Sequence, residues 1–335
     1  MAKVYNRAKV STTTTGTGTV TLNPSAGGVN QTGGALTAAN LELTGAGTFS
    51  LNQAGNHLTG NLAANISGVL TYQDNGAVAV GTAGATSGVT TSGNNVDLKT
   101  GGLLTLTNDV NAGTATAYLT STGGISETTG KVLAGNLGIN VTGAGNIVAN
   151  QANHVTGAIS LKTANGTIQY QDTGAITVGA VGASGNYAGT TGIDSSGGNG
   201  TVDLLSGAGG ITLNNDINAG TGTVYLTSAG AGAGISEAGA AKVTAGTLGM
   251  NVTSAGNIVT NNSNVVNVLG AKTANGNVQF KNTQALGVTT VAASGNFAGT
   301  TNGIDTSATT GKTVDVLLTA GALTLNNDIT TNTTG

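Results

Sequence analysis

Apolar and polar residues alternate along this chain in short runs of four to six: TVYLTS at Thr223–Ser228, GTIQYQ at Gly166–Gln171, AITVG at Ala175–Gly179. Such alternation sends every second side chain to one face, the pattern of a half-buried β-strand. Gly, Asn, Asp and Ser bound the runs, and these residues accept tight turns and left-handed backbone. No stretch holds a helical period. The many β-branched Thr, Val and Ile side chains favour strand over helix. The pattern therefore predicts an all-β chain of many short strands.

The strands recur with a period. Leu98, Leu119, Ile139 and Leu161 follow one another at 21, 20 and 22 residues, and Leu204 is followed by Leu226 after 22. A longer echo overlies this spacing. NVTGAGNIVANQAN (Asn140–Asn153) returns as NVTSAGNIVTNNSN (Asn251–Asn264), with a weaker first copy at Leu43–Asn56; LTLTNDV (Leu104–Val110) returns as ITLNNDI (Ile211–Ile217) and LTLNNDI (Leu323–Ile329). Fixed-period self-similarity marks a repeat architecture. Coils of about 20–24 residues with two or three strands each predict a right-handed parallel β-helix. Some fifteen coils at roughly 4.8 Å would span about 70 Å. The rival is a β-propeller, whose blades are longer and more aromatic. Residues 1–30 read as a cap or docking segment. Residues 31–335 read as one continuous solenoid of three macro-repeats, about 31–130, 131–240 and 241–335. LTLNNDITTNTTG stops early within the third, and an exposed last coil predicts self-association through open solenoid ends, a neighbouring subunit or a truncated chain.

Composition agrees with a narrow core. There are 58 glycines, 38% hydrophobic and only 3% aromatic residues, too little bulk to fill a wide globular interior at native density. Only 7% of residues are charged and the net charge is −3, so no basic stripe exists to neutralise phosphates, and no nucleic-acid partner is expected. Lys3, Arg7 and Lys9 read as a flexible or docking terminus. Without cysteine there are no disulfides or thiolate metal sites. No apolar run is long enough for a membrane span, and the start of the chain lacks the apolar core of a signal peptide.

Candidate chemistry is sparse. His57 and His154 occupy equivalent places, but the third copy puts Val265 there, so packing explains them better than catalysis. Asp97, Asp203 and Asp315 recur before hydrophobic residues, as do Glu127 and Glu237 in the ISE pieces. Glycosidases need a carboxylate pair at set separation, and no unrepeated pair stands out. No catalytic, metal or cofactor site is expected. Asn108, Asn215 and Asn327, beside their Asp neighbours, and Asn56, Asn153 and Asn264 mark corners suited to Asx turns or stacked amide ladders. Insertions in the second and third copies carry Tyr187 and Phe297 at matching places. Per-repeat insertions become loops on one face. Either the two rings cover the core beneath their own loops, or they meet a glycan or protein partner with Asn186, Thr190, Asn296 and Thr300 beside them.

GGLLTLTNDVNAG (Gly101–Gly113) and GGITLNNDINAGTGTVYLTSAGAGAGI (Gly209–Ile235) resemble repeats of filamentous-haemagglutinin-like adhesins and autotransporter passengers. That resemblance covers roughly residues 30 to 330 and implies a Gly-rich parallel β-helix that holds binding regions away from a cell surface. MAKVYNRAKVSTTTTGTGTVTL (Met1–Leu22) is similar to the opening of phage and prophage structural proteins, which implies a virion origin. Together these lead to the expectation of a noncatalytic fibre or surface-appendage subunit, extracellular or on a virion, with an adhesive role toward a host-surface glycan or protein. The alternatives are a carbohydrate-active β-helix, which needs a cleft with paired acids, and an ice-binding protein, which needs a flat Thr face.

Overall fold

The computed structural model describes residues 18–299 and 301–332. They fall into two units, one running to Gly157 and including Val181–Thr190, the other formed by Ala158–Ala180 and the chain from Thr191 onward. Each unit is a parallel β-solenoid with coils about 22 residues apart.

In the first unit one coil consists of Val96–Thr100, Leu104–Leu106 and Val110–Asn111. The next consists of Thr116–Ser121, Ile125–Glu127 and Val132–Ala134. They pair in parallel, with Val96 opposite Ala117, Leu104 opposite Ile125 and Val110 opposite Val132. In the second unit Val202–Ser206, Ile211–Leu213 and Ile217–Asn218 meet Thr223–Ser228, Ile235–Glu237 and the start of Val243–Ala255 in the same manner. Parallel pairing at a one-coil offset rules out the antiparallel blades of a propeller.

The core is a set of aliphatic columns. Leu98, Leu119 and Ile139 stack in register and are buried, as are Leu204, Leu226, Met250 and Ala271 in the second unit. Each large aliphatic side chain among them contributes about 1.5–3 kcal/mol by leaving water. One inward side chain per pair of residues suffices because each strand faces only a narrow interior. Helix is limited to a single 3-10 turn at Ser196–Gly198 among the described residues.

The insertions fold as antiparallel hairpins. Thr82–Ala83 pairs with Thr86–Ser87, and Thr290–Val291 with Thr301–Asn302. At two tips Ser184 bridges Tyr187 and Ser294 bridges Phe297.

Candidate functional site

Strand alternation breaks where the hairpins land. Leu70–Asp74 alternates regularly between buried and half-buried positions. In Val96–Thr100 and Val202–Ser206, however, the outward-facing second residue is buried as well. These residues are Asp97 and Asp203, 2% and 4% exposed. A buried carboxylate needs hydrogen bonds to offset its lost hydration, and the hairpin tips supply them. The backbone N–H of Asn186 donates to Asp97 Oδ2 at 2.7 Å, and that of Asn296 to Asp203 Oδ2 at 2.5 Å. The sequence separations are 89 and 93 residues. Each tip therefore docks on an acid most of a macro-repeat earlier.

Glycine makes the approach feasible. Gly185 and Gly295 have φ of +52° and +56°, and a Cβ on either would lie 2.1 or 2.2 Å from the carboxylate Oδ2. The Asn186 amide side chain then donates to Asn52 Oδ1 at 3.1 Å and to the Tyr72 carbonyl at 3.4 Å. Asn296 donates likewise to the Tyr170 carbonyl.

The rings complete each dock. Tyr187 is 1% exposed and packs against Tyr118, ring centroids 5.3 Å apart. Its ring fills the notch above Gly138, where a Cβ would lie 2.5 Å from Cζ. Tyr118 and Gly138 stand one and two coils beyond Asp97 in the same column. Phe297, 0% exposed, repeats the arrangement against Tyr225 at 5.0 Å and over Gly249. Both rings are thus taken up inside the protein. The Tyr187 hydroxyl bonds the Thr190 hydroxyl, so that residue also belongs to the dock. Thr300 lies outside the described residues.

The first hairpin uses a variant. Ala85 N–H and the Thr86 hydroxyl each donate to Glu42 Oε1 at 2.9 Å, and the Thr21 hydroxyl donates to Oε2 at 2.9 Å. Burial opposes ionisation of Glu42, but the hydrogen bonds from Thr21, Thr86 and Ala85 outweigh it and hold the carboxyl below its usual value. At Asp97 and Asp203 burial dominates and pushes each carboxyl up to about 6. Their second oxygens, Oδ1, are buried without a hydrogen-bond partner.

A second family of acids sits at the asparagine corners. Asn153 Oδ1 accepts the Val132 N–H at 2.6 Å, and its amide donates to Glu127 Oε2 at 3.0 Å. Glu127 Oε2 also accepts the Gln151 N–H at 2.9 Å. Asn264 Oδ1 accepts from the Val243 N–H at 2.6 Å, and Glu237 Oε2 from the Asn262 N–H at 2.9 Å. Burial raises Glu127 to about 8 and Glu237 to about 7. In the first copy Gln31 stands in the glutamate's place, its amide donating to Asn56 Oδ1 at 2.7 Å while its Oε1 accepts from the Asn56 amide at 3.0 Å. These asparagines do not serve as an amide ladder. Each is fully buried and caps main-chain groups of its neighbouring coil.

The histidine position also changes as part of a set. Asp74 Oδ2 accepts from the Tyr72 hydroxyl at 2.6 Å and the Leu58 N–H at 2.8 Å, and His57 Nδ1 lies 3.7 Å from Oδ1. The third copy replaces Tyr, Asp and His by Phe280, Asn282 and Val265. Asn282 keeps the main-chain bond, accepting from the Val266 N–H at 3.0 Å. Hydroxyl, carboxylate and imidazole are lost together, as expected of a mutually compensating polar corner.

Among the described residues no three His, Asp or Glu side chains converge in a metal-binding group, and no helix is long and apolar enough to cross a membrane. Comparison with protein-family models, curated proteins and solved structures finds no match. Sequence reading found the acids and the aromatic insertions separately. That they meet was not legible, although one signal was present: a charged residue between apolar neighbours in VDL strands.

Proposed function

We propose that this chain is a noncatalytic structural subunit of a surface appendage or virion fibre, associating with further copies through solenoid ends. The observation that carries this reading is the use made of the recurring buried acids. Asp97, Asp203, Glu127 and Glu237 each accept a main-chain N–H from a hairpin or a neighbouring coil. Carboxylates held this way fix architecture, whereas glycoside cleavage needs two of them facing a substrate cleft at set separation. The resemblance to filamentous-haemagglutinin-like repeats and to phage structural proteins supports the same role, with an extracellular or virion location. An adhesive function toward a host-surface glycan or protein falls to the exposed hairpin residues, such as Gly182, Ala188 and Ala298, since the rings are buried.

The test is sedimentation velocity over a concentration series, run beside a reducing-end assay on a polysaccharide panel. Mass that grows with concentration, without sugar release, is the expected result. A concentration-independent monomer that cleaves a polysaccharide would overturn the proposal.

A further inference from the structure

The asparagine corner of the second copy sets oxygen against oxygen. Gln31-Thr32-Gly33-Gly34-Ala35-Leu36 and Glu127-Thr128-Thr129-Gly130-Lys131-Val132 are equivalent segments. The Leu36 and Val132 N–H groups donate to Asn56 and Asn153 Oδ1 at 2.8 and 2.6 Å, which sets that alignment. In the first copy the Gln31 side-chain nitrogen donates twice, to the Gly34 carbonyl and to Asn56 Oδ1, each at 2.7 Å. Glu127 Oε2 takes the place of Gln31 Oε1, since each accepts from its corner asparagine's amide at 3.0 Å. The place of the Gln31 nitrogen therefore falls to Glu127 Oε1. That oxygen is buried without a hydrogen-bond partner, on a side chain only 4% exposed. By the same correspondence it points at the Gly130 carbonyl and Asn153 Oδ1, which are both acceptors. An amide NH₂ serves two acceptors, whereas a single proton on Oε1 serves one. A second carboxylate stands beside the corner. Asp109 Oδ1 accepts the Lys131 N–H at 3.1 Å, and the Asp109 charge opposes ionisation of Glu127.

We propose that this corner binds a calcium ion between Glu127 Oε1, the Gly130 carbonyl, Asn153 Oδ1 and the Asp109 carboxylate. Every ligand is oxygen and two are carboxylates, the set that suits a hard divalent cation. Calcium accepts an irregular shell of carboxylate, carbonyl and water oxygens, whereas magnesium demands a near-ideal octahedron. Asp109 is half-buried, so water can complete the shell from its side. The ion joins three successive coils, those that carry Asp109, Glu127 and Asn153. The third copy lacks the full set. Glu237 Oε1 is likewise buried without a partner, and Asp216 Oδ1 accepts the Lys242 N–H at 3.0 Å. There, however, the carbonyl preceding the lysine, that of Ala241, already accepts the Asn262 side-chain amide at 2.7 Å. The second copy is therefore the calcium site. With two carboxylates its affinity falls in the weak range, a Kd of about 0.1–1 mM.

The probe is calcium chloride, titrated at constant pH into the chelator-treated full chain while amide signals are followed by NMR. Saturable shifts of the Lys131 and Val132 backbone amides and of the Asn153 side-chain amide are expected. Glu127→Gln should weaken binding roughly tenfold or more by removing one of two carboxylates, and the fold accepts the change because the first copy of the corner is built around Gln31. Asp109→Asn, which keeps the oxygen that accepts the Lys131 N–H, should weaken it similarly. Glu237→Gln should leave the affinity unchanged. Absence of shifts at calcium concentrations about tenfold above that Kd would overturn the proposal and leave a proton as the occupant of the corner. So would shifts that survive Glu127→Gln undiminished, or a loss of binding in Glu237→Gln equal to that in Glu127→Gln.

Discussion

At the scale of single residues, the buried acids set how stability responds to pH. Glu127 is pushed up to about 8 and Glu237 to about 7 by burial, from an ordinary value of 4.5. Between about pH 4.5 and 8 the folded chain keeps protons that the unfolded chain gives up. Stability contributed by these groups is therefore full at acid pH and lost as pH rises through that window. Melting temperature should fall by several degrees between pH 5 and 9. A Glu127→Gln, Glu237→Gln double variant should flatten that slope, because Gln31 shows that the first copy of the corner folds around a neutral amide. Thermal melts of both proteins across the range check this, and an unchanged slope would refute the assignment. The tyrosine corner makes a second residue-scale case. Burial, the Asp74 hydrogen bond and the Asp74 charge all raise the Tyr72 phenol. Tyr72→Phe alone should cost about 1–2 kcal/mol by removing a bond to a buried carboxylate. Adding Asp74→Asn and His57→Val, the combination found in the third copy, should recover part of that loss, a non-additivity that denaturant titrations can measure.

Whole elements were legible in the sequence to different degrees. Alternation and a spacing near 22 residues define strands, coils and parallel stacking, because each strand needs only its own residues and the coil beneath it. The hairpins were legible as insertions but not as docks. Asp97 sits at an outward position that alternation assigns to solvent, and nothing periodic links it to Asn186, 89 residues away. Tyr187 likewise fills a notch left by Gly138, a residue whose smallness has no meaning until the hairpin is placed. The dock makes two predictions at this scale. Gly185→Ala puts a methyl group 2.1 Å from Asp97 Oδ2 and should displace the hairpin while leaving the coils intact, giving a new protease cut within residues 181–190. Tyr187→Ala should cost about 3 kcal/mol in denaturant midpoint analysis through lost ring burial. Tyr187→Phe, which installs the ring that the third copy carries as Phe297, should cost far less.

For the molecule as a whole, duplication explains why the chemistry comes in sets. Each copy carries an acid in a long strand, an asparagine corner and an insertion, so a substitution tolerated in one copy shows what that position requires. Gln for Glu at position 31 and Phe-Asn-Val for Tyr-Asp-His show that neutral side chains satisfy both corners. Neither corner needs a charged side chain at these positions to keep its place in the coil. Asp97 and Asp203 act as anchors committed to their hairpins. Hydrogen exchange of the full-length chain, resolved to single amides, tests it most directly. The Asn186 and Asn296 amides should exchange as slowly as neighbouring strand amides, because each donates to a buried carboxylate, while exposed Gly182 and Gly299 should exchange freely. Fast exchange at Asn186 and Asn296, at the rate of those exposed neighbours, would leave Asp97 and Asp203 free for other chemistry and contradict it.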